Sequence, residues 1–305
     1  MNKNNDARLV EKILRLKEEK NAVILAHNYQ RGEIQDIADF VGDSLGLSRE
    51  AQRLSCKMIV FCGVLFMAET AKILSPDKVV LLPRKEAGCP MADMITREEL
   101  KKIKAEYPEA KVVSYVNTTA EVKAESDVCC TSSNALKVVQ NIDAERIIFI
   151  PDRNLAGYVS KFTKKEIIPY NGYCYVHNRI RGEDIKKAKE VHPDAVILVH
   201  PECRPEVIEL ADEVTSTGGM IKFAKNLKAK KFIIGTEEGL IHRLKKENPE
   251  KEFFTTGPAL MCHNMKLTGL EDIYLSLKEE RYKIEIEDEV QKRAKRALDG
   301  MLKYI

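Results

Sequence analysis

Three stretches of this chain match one another in sequence, and nothing else about it restricts the fold so tightly. Each opens with a short, largely β-branched run, ending at His27 in "AVILAH", at Tyr115 in "KVVSY" and at His200 in "AVILVH". Each then carries an aspartate (Asp39, Asp127, Asp212) five residues before a hydroxyl (Ser44, Ser132, Thr217). A helical pattern follows the hydroxyl, then a second apolar run: "MIVFCG", "RIIFIP" or "KFIIGT". The step from first copy to second is 88 residues at the strand end (27 to 115) and again at the hydroxyl (44 to 132). From second to third it is 85 at both places (115 to 200, 132 to 217).

Extended forward, each copy gains another helix and a third strand, "KVVLLP", "EIIPY" or "EFFTT". Extended backward, each gains an amphipathic helix, the second of which opens with a capping box, Thr96 and Glu99. Strands alternating with helices build parallel sheets between helical layers. The expectation is therefore an α/β fold of three similar three-layer αβα domains, with parallel sheets arranged around a pseudo-threefold axis. The domains would span 6–93, 94–178 and 179–266. A tail, 267–305, is expected to pack back on the first domain through two helices. Thr268 and Glu271 would cap the first; Val290, Ala294, Ala297 and Met301 mark the second. The alternative is one larger doubly wound sheet.

Composition excludes several classes of function. Fifty basic side chains balance forty-seven acidic ones, leaving a net charge of +3 and no nucleic-acid footprint. The longest apolar run, "MIVFCGVLFMA" at 58–68, is too short to span a bilayer, and the N-terminus lacks the apolar core of a signal peptide. A cytoplasmic protein is expected, in a compartment that keeps its eight thiols reduced.

Three of those thiols obey the repeat. Cys89, Cys174 and Cys262 stand 45, 42 and 45 residues beyond Ser44, Ser132 and Thr217, and no C-x-x-C occurs. Ligands of parallel α/β sheets sit beyond the carboxyl ends of the strands. A pseudo-threefold arrangement would bring those ends together and deliver one thiolate from each copy. Three thiolates suit zinc completed by a His or water, or a 4Fe-4S cluster with one iron left open as a Lewis acid. Buried structural cysteines are the plain alternative, which suits Cys56, Cys62, Cys129 and Cys130; Cys203 stays open.

The strand ends that should face the same centre are "HNY" (27–29), "YVN" (115–117) and "HPE" (200–202), a set rich in acid–base and hydrogen-bonding groups. Ser44, Ser132 and Thr217 would each open a helix, as simple caps or together as a pocket for a small polyanion. Neither a Walker A sequence nor G-x-G-x-x-G is present, so nucleotide binding has no support.

"AHNYQ", "GDS", "GCPMAD", "SYVNT", "TSSNA", "HPEC" and "STGGM", with the three spaced cysteines, make the chain resemble the quinolinate synthase family over essentially its whole length. The resemblance implies a 4Fe-4S cluster on Cys89, Cys174 and Cys262. It implies condensation of iminoaspartate (iminosuccinate) with dihydroxyacetone phosphate to quinolinate, phosphate and water in NAD biosynthesis. The binding set it implies is His27, Ser44, Tyr115, Val116, Asn117, Ser132, His200, Pro201, Glu202 and Thr217, and Tyr29, His200 and Glu202 become the residues for proton transfer. The implied partners are these small molecules and, transiently, the enzyme that makes the imine; no nucleic acid or membrane is among them. One departure is His263, directly after the third cysteine, where the family more often has proline.

Overall fold

Each of those apolar runs becomes a parallel strand, the central ones largely buried, in the computed structural model, which describes residues 3–257 and 260–304. The first copy runs α1 (Lys3–Glu19), β1 (Ala22–His27), α2 (Gly32–Ile37), β2 (Phe40–Gly42), α3 (Ser44–Arg53), β3 (Met58–Cys62), α4 (Leu65–Leu74) and β4 (Val79–Leu81). The second repeats the order as α5 (Arg97–Glu106), β5 (Lys111–Tyr115), α6 (Ala120–Ala124), β6 (Val128–Cys130), α7 (Ala135–Asn141), β7 (Arg146–Ile150), α8 (Arg153–Ser160) and β8 (Glu166–Pro169). The third does so as α9 (Gly182–Val191), β9 (Val196–Val199), α10 (Pro205–Ile208), β10 (Glu213–Val214), α11 (Thr217–Asn226), β11 (Lys231–Gly235), α12 (Leu240–Glu247) and β12 (Glu252–Thr255).

The strands form three separate four-stranded sheets, ordered β2-β1-β3-β4, β6-β5-β7-β8 and β10-β9-β11-β12, so the single large sheet is ruled out. All pairings within them are parallel. Every residue of β3 is buried, as expected where helices cover both faces of a sheet. Alternate side chains serve opposite layers: Leu25, Ile59 and Phe61 enter one core cluster, Ile24, Met58 and Val60 another.

Four strands per copy is one more than the sequence pattern shows. The added strands β2, β6 and β10 are two or three residues long, too short to carry a readable alternation. The repeated aspartates hold them in place. Asp39, Asp127 and Asp212 each accept the backbone N–H of the neighbouring strand, from Ile24, Val112 and Ile197, at 2.8 Å in every copy. These aspartates are clamps at the start of a ladder, set well away from the strand ends where chemistry would gather.

In the tail, α13 (Leu270–Glu279) lies against α1, and α14 (Asp288–Leu302) packs on α6 and β6 of the second copy and on α4 of the first. Gly269 rather than Thr268 is the cap of α13. Its N–H donates to Asp272 at 2.9 Å, while Thr268 is wholly buried. Between the two helices, Tyr282 and Ile284 pair with Leu82 and Val80, covering the exposed edge beside β4. No described helix is long and apolar enough to cross a membrane.

Candidate active site

Cys89, Cys174 and Cys262 come to one chamber at the meeting point of the three copies. Each reaches it in the same way. A carbonyl two residues before the cysteine accepts an N–H from the segment after the second central strand. The bonds are Leu65 to Ala87 at 2.8 Å, Arg153 to Gly172 at 2.9 Å and Glu238 to Leu260 at 3.0 Å. At Gly172 the approach leaves no space for a side chain, because a Cβ would overlap the Pro151 carbonyl. Each cysteine is then followed by a short 3-10 turn, at Ala92–Met94, His177–Arg179 or Asn264–Lys266. The N–H of the residue three places on, Ala92, His177 or Met265, reaches the sulfur.

Burial keeps these thiols protonated when no cation is near. It pushes Cys89 up to about 12, with Cys262 and Glu202 adding to the effect, and it raises Cys174 and Cys262 as well. Their partial exposure is to the chamber. Among the described residues the three sulfurs do not lie within 4.8 Å of one another; the set that does is Cys174, His177 and Glu202.

The strand ends surround the thiols. His27, Tyr29, Ser44, Tyr115, Asn117, Ser132, His200, Glu202 and Thr217 all line the chamber. Two residues of the expected set do not. Val116 lies behind the wall, in a small void beside Ser44, and Pro201 faces a separate outer basin. Ser44 and Thr217 do open helices, capped by Asp43 through Gly46 N–H at 2.8 Å and by Ser216 through Gly219 N–H at 3.1 Å. Ser132 does not: it sits in a turn three residues before α7, because Asn134 takes the Thr131 N–H at 2.8 Å and delays the helix.

The polar groups form one network. Tyr115 donates its hydroxyl to Glu202 at 2.5 Å, and His177 Nδ1 lies 2.6 Å from the other carboxylate oxygen, off the line of a well-directed hydrogen bond. His177 stacks on His200 at 4.6 Å between ring centres, and His200 Nε2 meets the Ser132 hydroxyl at 3.1 Å. Tyr29 bonds Thr236 at 2.6 Å and lies 3.4 Å from His177 Nε2. Burial drives His200 down to about 3 and His27 down to about 4, so both are neutral at pH 7. Burial and the Glu202 charge raise both phenols, leaving Tyr29 and Tyr115 protonated. Burial alone would raise Glu202, but His177, His200 and the Tyr115 hydroxyl outweigh it and keep the carboxylate ionised. The chamber thus holds neutral imidazoles and protonated phenols around the Glu202 carboxylate.

Several groups in the chamber or directly behind its wall escaped the sequence reading. His177 stands three residues after Cys174 and had no counterpart in the other copies to mark it. Asp152 and Glu237 did have a signal: they occupy one repeat position, 85 residues apart, directly after the runs "RIIFIP" and "KFIIGT". Asp152 accepts the Cys174 N–H and Glu237 the Cys262 N–H. Lys266 pairs with Glu237 at 2.9 Å and donates to the Tyr29 carbonyl. His263 turns its side chain outward, and its N–H donates to the Tyr175 oxygen at 2.9 Å.

Fold and site together define a three-copy α/β enzyme with a buried, thiol-lined acid–base chamber on its pseudo-threefold axis. Residues 11–303 match the family model for quinolinate synthetase A protein. The chain is 58% identical to the quinolinate synthase of Thermodesulfovibrio yellowstonii over 98% of its own length and 99% of the relative's. It is 56% identical to that of Clostridium kluyveri, with coverages of 98% and 99%, and 55% identical to that of Methanosarcina barkeri, with 97% of each. The chain belongs to the quinolinate synthase family.

Proposed function

We propose that this chain joins iminoaspartate to dihydroxyacetone phosphate, forming quinolinate and releasing phosphate and two waters on the way to NAD. One observation carries the reading: three repeat-related thiols and three repeat-related hydroxyls face a single buried chamber that also holds Tyr29, His177, His200 and Glu202.

We assign a 4Fe-4S cluster to Cys89, Cys174 and Cys262. Three buried thiols, each with a backbone N–H on its sulfur, suit a cationic inorganic group. A lone tetrahedral zinc, with Zn–S near 2.3 Å, would draw the sulfurs to about 3.8 Å apart, closer than the triangle here. The cluster supplies a Lewis acid at the iron that no cysteine holds.

The remaining work falls to side chains. Ser44 and Thr217, in the first turns of α3 and α11, and the Ser132 hydroxyl offer donors to carboxylate or phosphate oxygens. Asn117 Oδ1 is buried with no partner, ready for a substrate donor. Neutral His200, steadied by Ser132, and ionised Glu202 accept protons during isomerisation and dehydration; protonated Tyr29 returns one. The imine substrate is unstable in water, which favours delivery by a transient contact with the enzyme that makes it. Reduced thiols suit a cytoplasmic setting.

An anaerobic assay tests the proposal: purified protein should carry about four irons per chain and release quinolinate from the two substrates. Iron-loaded protein that forms none would overturn it. A second reading rests on the compact Cys174, His177 and Glu202 set, whose mixed donors suit a single divalent ion. Colourless protein with one zinc per chain and no quinolinate synthesis would favour that reading.

A further inference from the structure

Outside the chamber, beyond Asp43 and Ser132, which line both spaces, lies a basin of about 770 Å³. Arg49, Lys137 and Lys222 line it, and they occupy one repeat position: 49 to 137 is 88 residues and 137 to 222 is 85. They stand on α3, α7 and α11, five residues past Ser44, Ser132 and Thr217, so each copy sends one equivalent cation to the same basin, and the third copy adds Lys225 and the Glu247-bound Arg243. The three equivalent cations are exposed and form no ion pair among the described residues. The basin's two carboxylates are already engaged, Glu247 by Arg243 at 2.6 Å and Asp43 by Ser133 at 2.9 Å. The chain as a whole is nearly neutral, so this local excess of positive charge is not a by-product of a basic protein.

The chamber shows the opposite balance. Its histidines His27 and His200 are neutral at pH 7, Lys266 is bound to Glu237, and Glu202 is ionised. A substrate carrying two carboxylates or a phosphate therefore meets no uncompensated cationic side chain inside to draw it in. At the wall between the two spaces, Asp43, Ser133 and Ser216, one from each copy, are joined by hydrogen bonds of 2.8–3.4 Å.

We infer that the basin is the entrance for small dianions, and that Arg49, Lys137 and Lys222 form a threefold cationic ring that gathers them at the chamber wall. This rests on the proposed function and assigns it the entry route. Charges around a concave mouth raise the local concentration and capture rate of oppositely charged ligands, and salt weakens the effect.

The test uses the iron-loaded enzyme and quinolinate as the probe dianion. Its association rate is measured by rapid mixing between about 0.02 and 0.2 M ionic strength, alongside kcat/KM for synthesis. The triple variant Arg49→Gln, Lys137→Gln, Lys222→Gln should bind about tenfold more slowly at low salt, lose most of its salt dependence, and show its deficit in kcat/KM rather than kcat. Each single variant should carry about a third of the logarithmic change, as symmetry requires. A matched variant, Lys102→Gln, Lys187→Gln, Lys245→Gln, removes the same charge from exposed lysines away from the basin and should bind as wild type does. A ring variant indistinguishable from this control overturns the inference while leaving the proposed function intact. Wild-type enzyme that neither forms nor binds quinolinate overturns the proposed function itself.

Discussion

The Asp152 carboxylate accepts the backbone N–H of Cys174 at 3.1 Å, while its other oxygen caps α8 through the Leu155 N–H at 2.6 Å. Glu237, its counterpart in the third copy, takes the Cys262 N–H at 3.0 Å; the first copy has Val64 in that place. These carboxylates orient two of the three cysteine turns. Asp152→Asn and Glu237→Gln keep the shape but remove one acceptor oxygen, and a hydrogen bond contributes about 0.5–1.5 kcal/mol. Each variant should fold and yet release iron to a chelator about tenfold faster than wild type. Release at the wild-type rate would confine both residues to a folding role.

Cys89 and Cys203 separate a ligand from a buried thiol. Cys203 packs in the core of the third copy, with its sulfur 3.4 Å from the Gly235 carbonyl, and does not line the chamber. Cys203→Ala should keep full iron and lose about 1–2 kcal/mol of stability to the cavity. Cys89→Ser should remain folded but lose both iron and quinolinate synthesis. Full iron content in Cys89→Ser would end the ligand assignment.

Much of this was legible because duplication writes the same geometry three times. The constant offsets gave the three units and their strand ends, and they selected Cys89, Cys174 and Cys262 from eight cysteines. What the offsets could not show was whatever a single copy does alone. His177 has no repeated partner, and Ser132 departs from its equivalents because Asn134 restrains the turn before α7. The strands β2, β6 and β10 were too short to leave a pattern, although their clamps Asp39, Asp127 and Asp212 were visible as unexplained repeats. Direction was also hidden: Val116 and Pro201 adjoin chamber residues in sequence but turn away from it in space.

Tyr29 offers a cleaner probe of chemistry than the residues that shape the chamber. Its hydroxyl bonds Thr236 at 2.6 Å and approaches His177, so removing one oxygen leaves the ring, the fold and the thiols in place. Tyr29→Phe should keep its iron and bind substrate, with kcat reduced about 10²- to 10⁴-fold, the usual range for a lost general acid. Normal turnover would remove Tyr29 from the proton path.

Acid should weaken the fold through His27 and His200 before it touches Glu202. In the folded chain burial lowers these histidines from 6.5 to about 4 and about 3. Above pH 6.5 they are neutral whether the chain is folded or not, and they leave stability unchanged. As pH falls below that value the unfolded chain takes up protons that the folded chain refuses, so stability drops until the folded values are reached. At pH 5 the loss is about 2 kcal/mol for each histidine. Glu202 contributes only at lower pH, because its carboxyl is held below the usual carboxylate range. Thermal midpoints measured from pH 7.5 to 5, with iron content checked at each step, should therefore fall for wild type and fall much less for His27→Gln, His200→Gln. Equal slopes for the two proteins would mean that these imidazoles are not buried in the neutral form.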